Sequence, residues 1–508
     1  MDSISEVFRP LSVLVGFSAY AAWRVLYALY LSPLRNVPGP FWARVSALPM
    51  FWYDIRGKEP EFMQRNCAKY GSVFVMEPDK VGICGLEECQ MVLNSHAFLK
   101  DRRYGQVDFI EPNLFLTRDP ELNRHRRRQI GPALNPAGLR QMEPTILESG
   151  VQQLMTKWDQ AIAASPNGQS RIQYFYDFSD MSFDVICSLG FGLQHRSLTT
   201  GDRQMTSWVR KTTSLIFVQM CVPFLTRTPF RQTVLRSLYS SARKFVEFGV
   251  KVIAQRKHEI AAGGERRNDL LQAFIDAEDP LSKAHMTPEQ ITSETIISIF
   301  GGTDTSSNTL SWAVHLLLLH PHYLQRVQAE VRQAFAPGHL VRYEEAKARL
   351  PFLEACLYET LRIRSPGNNL PRCISRGGVV LKSYFIPDTC TCSVSIGTCN
   401  LNEETWDRPH DFNPDRFIEN PENKRKVLTF SAGVRVCPGR HLAWWEMMTT
   451  MANVLKNYEL QLPEDALFTP DQMDEEGRPL VMPYNQAITC SPRYPDRDCS
   501  VLVSKHVI

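Results

Sequence analysis

The chain has 508 residues, of which 44% are apolar and 22% are charged, the composition of a globular protein with a large core. Its 57 basic and 54 acidic residues leave a net charge of +3, which gives no electrostatic basis for binding nucleic acid. The 13 cysteines are scattered without the paired spacing of a zinc site, so we expect a reduced compartment with one special thiol and packing roles for the others.

The first predicted element is a membrane-spanning helix. Residues 11–31 form an apolar run that contains one charge, Arg24, and about 20 such residues suffice for a helix to cross a bilayer. Arg24 lies in the C-terminal half of the run, from which its long side chain can reach the lipid headgroups. The basic residues Arg35 and Arg44 follow the run, which places the C-terminal bulk of the chain in the cytosol. A removable signal peptide and an amphipathic helix on the membrane surface are the alternatives.

A proline-rich segment follows the predicted helix, and its prolines predict a stiff, extended spacer. After it, residues 70–84 predict a short β-hairpin, and helical patterns dominate the rest of the chain. The predicted fold class is therefore mostly α with a small β region. We expect four segments along the chain: a lumenal tail at 1–10, a transmembrane anchor at 11–31, a proline-rich hinge at 32–40 and one folded domain at 41–508.

A basic run lies on one of the predicted helices. The segment from Asn123 to Leu134 reads N-R-H-R-R-R-Q-I-G-P-A-L and carries five arginines or histidines near its start. By itself such a run most often forms a solvated basic face. The composition of this segment alone therefore assigns it no specific role.

A longer helical pattern spans residues 291–310 and is interrupted by G-G-T-D-T-S at 301–306. Two successive glycines weaken a helix by about 1 kcal/mol each, so we expect this helix to need space or a distortion at that point. Asp304 and Thr305 place an acid beside a hydroxyl, the two groups that a proton relay requires. A core helix with a polar cap is the alternative.

Two polar motifs follow further along the chain. Glu359 and Arg362 are three residues apart, which places them on one face of a helix, and N-P-D-R-F occupies 413–417. Helices often carry such ion pairs, so this spacing is uninformative on its own. Between the two motifs, residues 379–381 and 391–396 alternate as strands.

The stretch with the clearest chemistry is F-S-A-G-V-R-V-C-P-G at 430–439. A thiolate is a strong donor to iron, and Gly433 and Gly439 on either side of Cys437 let the backbone approach a flat cofactor without Cβ clashes. Arg435 adds a fixed positive charge that suits a carboxylate. The alternative is a buried free cysteine in a glycine-rich turn.

This stretch resembles the haem-binding loop of the cytochrome P450 family, the haem-thiolate monooxygenases, at every position of the motif. The G-G-T-D-T-S segment resembles the oxygen-activation motif of the same family. The resemblance implies a cytochrome P450 fold around haem b, with Cys437 as the axial ligand of the iron. Residues that it further assigns to cofactor binding are Arg435, Arg372, Arg127, Phe430, Gly433 and Gly439. Residues that it assigns to oxygen activation are Thr305 and Asp304 for proton delivery, with Gly301 and Gly302 leaving room for oxygen.

The two polar motifs also fit this family. Glu359 and Arg362, together with Arg416 of N-P-D-R-F, resemble its Glu-Arg-Arg network. The implied role of this network is stability and retention of the haem, not catalysis.

The basic run resembles the family's helix beside the haem, which commonly carries Trp-x-x-x-Arg. Arg127 falls on the arginine of this pattern and is implied to bind a propionate, whereas Asn123 stands at the tryptophan. This departure leaves one contact to the haem unassigned, and His125 is a candidate to replace it.

The resemblance implies a membrane-anchored enzyme that inserts one oxygen atom from O2 into a hydrophobic small molecule such as a terpenoid, steroid or polyketide. The hinge and the N-P-D-R-F segment are most similar to fungal members of secondary-metabolite pathways. Such members lie in the endoplasmic reticulum membrane with a single span and a catalytic domain that faces the cytosol. The alternatives are a family member that rearranges a peroxide or dehydrates a substrate without outside electrons, and a membrane protein that binds haem without turnover.

Electrons for the implied reaction come from NADPH through a separate NADPH-cytochrome P450 reductase, with cytochrome b5 as a second candidate partner. Lys424, Arg425 and Lys426 precede the cysteine loop and are candidate residues for docking an acidic flavoprotein. Three adjacent basic residues are also common on a solvated surface.

Overall fold

The structure is a computed structural model that describes residues 2–193, 196–227, 229–486 and 488–506. The chain forms two compact units, Met1–Asp101 with Asn369–Asp407 and Arg102–Asn368 with Arg408–Ile508. The α-helices of the described residues are α1 Asp2–Leu26, α2 Phe41–Val45, α3 Leu48–Ile55, α4 Glu59–Tyr70, α5 Leu86–Leu93, α6 Pro120–Leu134, α7 Pro136–Ile146, α8 Gln152–Ala163, α9 Tyr174–Phe191, α10 Ser197–Thr200, α11 Gln204–Cys221, α12 Arg236–Ala261, α13 Leu270–Asp276, α14 Pro288–Leu319, α15 Pro321–Ala334, α16 Tyr343–Arg349, α17 Pro351–Ile363, α18 Ile396–Cys399, α19 Asp415–Glu419, α20 Arg440–Asn457 and α21 Pro495–Asp498. The strands are β1 Val73–Glu77, β2 Lys80–Ile83, β3 Gln169–Gln173, β4 Asn369–Cys373, β5 Val379–Leu381, β6 Tyr384–Ile386, β7 Thr391–Ser395, β8 Tyr458–Gln461, β9 Tyr484–Gln486, β10 Cys490–Pro492 and β11 Ser500–Lys505. The mostly helical fold class predicted from the sequence is confirmed.

The N-terminal helix is long and apolar, and it continues into a π-helical turn at Tyr27–Leu31. The segment Val13–Leu31 has a mean hydropathy of 1.3 over 19 residues and is 6% buried, so its length and composition suffice to cross a membrane. Arg24 does not extend freely from this segment, because its guanidinium donates to the carbonyl of Val45 at 3.1 and 2.6 Å. The one charge of the candidate anchor is therefore tied to the end of α2.

The proline-rich segment packs against the first unit and is not an isolated spacer. Arg44 donates to the carbonyl of Leu34 at 3.1 Å and also to the carbonyl of Val37. The side chains of Leu34 and Val37 are buried. The N–H of Val75 in β1 donates to the carbonyl of Pro38 at 2.8 Å. The prolines fix the extended backbone, and these contacts fix where it lies.

The first unit is built on a four-stranded sheet in the order β1-β2-β7-β4. The predicted hairpin is present as the antiparallel pair β1 and β2, whereas β2 and β7 run parallel and β4 and β7 antiparallel. Phe62 and Met63 of α4 pack with Phe74 of β1 in the buried core of this unit.

Two cysteines of this unit form a disulfide, since the sulfur atoms of Cys67 and Cys84 are 2.19 Å apart. This corrects the expectation that every cysteine except Cys437 is a reduced packing residue. A separation of 17 residues carries no signal in the sequence, whereas the fold places the last turn of α4 beside the end of β2. The other cysteines of the described residues are free.

The second unit is organised around α14, which is buried along most of its length and packs against α9, α12, α17 and α20. Its start is fixed by a capping box: the N–H of Gln290 donates to Thr287 Oγ1 at 3.3 Å, and the N–H of Thr287 donates to Gln290 Oε1 at 3.0 Å. The helix runs unbroken through Gly301 and Gly302. The glycines therefore accommodate neighbours or space without breaking the helix.

Two small antiparallel sheets complete the second unit, β3-β11-β8 and the hairpin β9-β10. The hairpin lies against α14, because Asn308 Nδ2 donates to Thr489 Oγ1 at 3.4 Å and Trp312 Nε1 donates to the carbonyl of Cys490 at 3.2 Å. This arrangement brings the C-terminal part of the chain to the helix that carries the G-G-T-D-T-S motif.

Candidate active site

The cysteine loop is closed by its own backbone, because the N–H of Cys437 donates to the carbonyl of Phe430 at 2.8 Å. Gly433 begins a 3-10 turn inside the loop with a φ of +60°, a backbone conformation that favours glycine. Burial raises the pKa of the Cys437 thiol, whereas a hydrogen bond from the N–H of Gly439 and the charge of Arg127 lower it. The sulfur thus lies where a backbone donor and a cation support a thiolate.

The basic helix α6 directs its side chains to different places. Arg127 Nη2 donates to the carbonyl of Val436, the residue before the cysteine, at 2.7 Å. His125 contacts the carboxylate of Asp279 through its ring Nδ1, and Arg128 binds the same carboxylate at 2.9 and 2.7 Å. The interpretation of His125 as the replacement for the family's tryptophan is therefore wrong, because its position on the helix faces Asp279.

Asn123, at the tryptophan position, is completely buried. Neither its side-chain oxygen nor its side-chain nitrogen has a hydrogen-bond partner among the described residues, and the same holds for Arg127 Nε. A buried polar group without a partner costs about 1–3 kcal/mol. These atoms are therefore the polar groups of α6 that remain available to a molecule from outside the chain.

The two other arginines assigned to the cofactor lie in different units. Arg435 Nη1 donates to the carbonyl of Thr117 at 2.9 Å in the second unit. Arg372 is buried in β4 of the first unit, where its Nη1 donates to the carbonyl of Pro371 at 3.0 Å. Their roles toward a propionate stay predictions.

The two glycines of α14 have different surroundings. A Cβ on Gly301 would meet no atom within 4 Å, so this position faces open space although most of the helix is buried. A Cβ on Gly302 would lie 2.8 Å from Cγ1 of Ile186 in α9. Gly301 fits the prediction of room for oxygen, whereas the space at Gly302 is filled by the neighbouring helix.

Thr305 and Asp304 follow directly on this helix. Thr305 Oγ1 donates to the carbonyl of Gly301 at 2.6 Å, so its oxygen lone pairs remain free to accept a proton. Burial raises the pKa of Asp304, and the charge of Arg210 opposes this shift. Asp304 therefore holds its proton to a higher pH than an exposed aspartate does.

An apolar cluster lies beside the open glycine, with Ile216 of α11 and Ile297 and Phe300 of α14 at its centre. Partly buried residues that pack against this centre are Val107, Phe109, Phe115, Met220 and Ile488. Because Phe300 directly precedes Gly301, the cluster forms an apolar wall next to the open space.

A polar group joins the segments that build this wall. Asp108 accepts a hydrogen bond from Gln219 Nε2 at 2.5 Å and pairs with Arg231 at 3.2 Å. Gln219 Nε2 also donates to the hydroxyl of Tyr239 at 2.9 Å, and the Arg231 guanidinium lies 4.3 Å from the centre of the Tyr239 ring. We call these four residues the Asp108 latch. It connects the loop before α6 to α11 and α12.

The predicted Glu-Arg-Arg residues come together in the buried core of the second unit. Glu359 binds Arg362 at 2.7 and 2.8 Å and Arg416 at 3.1 Å. The N–H of Asn413 donates to the same carboxylate at 2.8 Å. Thr429, just before the cysteine loop, donates its hydroxyl to the carbonyl of Leu361 at 2.7 Å. The network thus lies on the helix that holds the start of the loop.

The comparisons with known proteins agree with this geometry. A model described as Cytochrome P450 matches residues 38–490 of the chain. The chain belongs to the cytochrome P450 family. This P450 is 38% identical over 488 residues to the cytochrome P450 monooxygenase helB3 of Aspergillus fumigatus, covering 95% of this chain and 96% of that protein. It is 36% identical over 510 residues to helB1 of the same organism, covering 100% of this chain and 87% of that protein.

A solved structure shares the fold. The crystal structure of the cytochrome P450DA haem domain superimposes with a TM-score of 0.77 at 19% sequence identity, over 93% of this chain and 98% of that chain. The family and its relatives make this P450 an enzyme of the haem-thiolate monooxygenase class.

The residues present fit the haem that the family implies. The Cys437 sulfur has a backbone donor and a nearby guanidinium, which is the environment that an iron-bound thiolate needs. Open space at Gly301 and unpartnered polar atoms on Asn123 and Arg127 provide room and hydrogen bonds for a large, acidic ligand. Haem therefore satisfies groups that the protein alone leaves without partners.

The candidate docking residues do not form a free cationic patch. Lys424 pairs with Glu354 at 2.6 Å, and Arg425 pairs with Glu422 at 2.8 Å. Surface pairs of this kind reduce the charge that remains for an acidic partner. The role of these residues in docking stays a prediction with weaker support.

The apolar wall and the Asp108 latch were not identified from the sequence. Their residues come from segments far apart in the chain, and apolar residues at helical spacing equally predict an ordinary core. The one local signal was the position of Phe300 directly before the glycine pair.

Proposed function

We propose that this P450 is a membrane-anchored monooxygenase that inserts one oxygen atom from O2 into a hydrophobic small molecule. The observation that supports this most directly is the open space at Gly301, flanked by the apolar wall and followed by Asp304 and Thr305. An apolar pocket with few polar groups suits a terpenoid, a steroid or a polyketide. Similarity to two enzymes of Aspergillus fumigatus supports a place in fungal secondary-metabolite biosynthesis.

The chain supplies ligation, proton delivery and exclusion of water. Bound haem supplies the activation of dioxygen and its transfer to a C–H bond. Cys437 holds the iron, while the N–H of Gly439 and the charge of Arg127 keep its sulfur anionic. Arg127 and Asn123, with Arg435 and Arg372, are the proposed contacts to the propionates.

Proton delivery is the proposed role of two neighbouring side chains. Asp304 carries a proton near neutral pH more readily than an ordinary aspartate, because it is buried. Thr305 holds a proton at Oγ1 and can accept another hydrogen bond at the same oxygen. The apolar wall keeps bulk water away from this proton path and orients the substrate.

The proposed location is the endoplasmic reticulum membrane, with Val13–Leu31 as a single span and the catalytic domain in the cytosol. The proposed electron source is NADPH through a separate NADPH-cytochrome P450 reductase, with cytochrome b5 as a second donor. The proposed segments are those predicted from the sequence, namely a tail, an anchor, a hinge and a catalytic domain from residue 41.

The first experiment is the difference spectrum of the reduced, carbon monoxide-bound protein in microsomes. The wild type is expected to give the red-shifted Soret band of thiolate-ligated haem, and Cys437→Ser is expected to lose it. Cys221→Ser, at another partly buried free cysteine, is the control and should keep the band. An unshifted band in folded wild type would overturn the assignment of Cys437.

The second experiment tests the reaction itself. Microsomes with reductase, NADPH and a set of hydrophobic compounds are incubated under 18O2, and products are analysed by mass spectrometry. Incorporation of one labelled oxygen that requires both NADPH and the reductase supports the monooxygenase proposal. Products that form without NADPH would instead support a reductase-independent rearrangement or dehydration.

A further inference from the structure

A buried acid lies outside the residues assigned so far. Glu446 is on α20, the helix that follows the cysteine loop, and only 3% of the residue is exposed. No basic side chain of the described residues forms a salt bridge with it. A carboxyl group without a countercharge is rarely retained in a core unless hydrogen bonds fix it in place.

Two serines from two other helices satisfy this carboxyl group. The hydroxyl of Ser182 in α9 donates to Glu446 Oε1, and the hydroxyl of Ser306 in α14 bonds to the same side chain. Burial raises the pKa of Glu446 to about 7, against the effect of both serines. One carboxyl group therefore joins α9, α14 and α20.

Ser306 differs from the other hydroxyl residues of its helix. The side chains of Thr303, Thr305 and Ser307 each donate to the carbonyl four residues earlier, at 2.6 to 2.8 Å. Thr309 and Ser311 do the same at 2.9 and 2.8 Å. The Ser306 hydroxyl instead leaves its own helix to reach Glu446. It is the hydroxyl of this stretch that ties α14 to another element.

The contact repeats one turn along both α9 and α14. Ile186 lies four residues after Ser182, and Gly302 lies four residues before Ser306, so each pair shares one face of its helix. Ile186 fills the space beside Gly302, while Glu446 bridges Ser182 and Ser306. The glycine-weakened turn is therefore held at two points, one apolar and one polar.

We propose that Glu446 is a positioning residue for oxygen activation, which fixes Ser306 and thereby the turn that carries Asp304 and Thr305. This inference rests on the proposed function, because it assigns that turn to proton delivery. Two successive glycines leave the turn poorly stabilised by its own helix, so an outside tether determines where Thr305 lies. Since the tether comes from α20, the helix after Cys437 sets the position of the proton-delivering turn.

The test uses dioxygen as the probe and needs no substrate. Reduced full-length protein is mixed with air-saturated buffer, and the rate of its reoxidation is followed by absorbance. We expect Glu446→Ala and Ser306→Ala to reoxidise about fivefold faster, because a displaced Thr305 no longer protects the bound gas from solvent. Glu446→Gln should stay close to wild type, since an amide can still hydrogen-bond to both serines.

Ser182→Ala is the matched control, because it removes the same kind of hydrogen bond from the same carboxyl group but leaves α14 tethered. It should lower the unfolding temperature about as much as Ser306→Ala while leaving the reoxidation rate unchanged. Equal rates for wild type and Ser306→Ala, or equal acceleration in both serine variants, would overturn the inference. Ser306→Ala keeps the test decisive if Glu446→Ala does not fold.

The two levels of the argument fail differently. A wild type without the red-shifted carbon monoxide band would contradict the proposed function itself. A wild type with that band, together with unchanged reoxidation in Glu446→Ala and Ser306→Ala, would contradict only the role of Glu446.

Discussion

The two adjacent glycines of α14 should respond in opposite ways to the same substitution. Replacing glycine by alanine inside a helix adds about 1 kcal/mol of stability when the new methyl group meets nothing. Gly301→Ala meets this condition, because its Cβ would have no atom within 4 Å. We therefore expect Gly301→Ala to raise the free energy of unfolding by up to about 1 kcal/mol.

Gly302→Ala should lower stability relative to Gly301→Ala. Its Cβ would lie 2.8, 2.9 and 3.3 Å from Cγ1, Cδ1 and Cβ of Ile186, which is buried and branched at Cβ and so cannot simply rotate away. Overpacking of this kind costs about 1–3 kcal/mol, which outweighs the gain in helix propensity. The two variants should thus differ by about 1–3 kcal/mol in the free energy of unfolding.

The assay is urea unfolding of the detergent-solubilised full-length protein, followed by circular dichroism. Ile186→Ala is the second background, in which Gly302→Ala should become as favourable as Gly301→Ala because the clashing atoms are gone. Equal or greater stability of Gly302→Ala in the wild-type background would refute the close contact. Carbon monoxide association should be slower in Gly301→Ala, because the methyl group occupies the open space.

Three further outcomes are expected. Glu359→Gln should destabilise the protein by about 3–5 kcal/mol and increase haem loss to apomyoglobin, because it leaves two buried arginines without their countercharge. Asp108→Asn should speed both binding and release of an azole inhibitor in stopped-flow measurements, because it loosens the Asp108 latch without changing its shape. The free energy of unfolding should fall as pH rises from about 4.5 to about 7, because Glu446 and Glu294 stay protonated to about 7 when folded.

Each of these outcomes has its own control. An unchanged rate of haem loss in Glu359→Gln would contradict the role of the network. Azole binding kinetics that match wild type would show that Asp108 does not restrain access. The pH slope is about 1.4 kcal/mol per unit for each group, with stability lost as the folded carboxyl ionises, so Glu446→Gln should remove one share of it. An identical slope in that variant would contradict the raised pKa.

Local motifs made the chemistry of this site predictable from the sequence. Cys437, Thr305 and Glu359 each lie in a short pattern whose residue types are dictated by one task, so no knowledge of the packing was needed. His125 failed because two positions on a helix face different neighbours, and only the fold shows that Asp279 lies opposite. Gly302 looked equivalent to Gly301 because the sequence does not reveal how closely α9 approaches.

Long-range pairings were beyond the reach of the sequence for a different reason. The disulfide between Cys67 and Cys84, the Asp108 latch and the tether at Glu446 all join segments whose meeting is determined by the whole fold. Buried polar residues such as Glu446 also resemble surface residues in a sequence pattern, because nothing local indicates that their helix is enclosed.

The packing of the proline-rich segment determines where a soluble form of this enzyme can begin. β1 is an outer strand of its sheet, and the carbonyl of Pro38 covers one of its backbone donors at Val75. A truncation that starts at residue 41 would uncover this strand edge and deprive Arg44 of its acceptors, which invites edge-to-edge aggregation. A truncation after Leu31 removes the apolar helix but keeps the edge protected, and should therefore be the one that stays monodisperse.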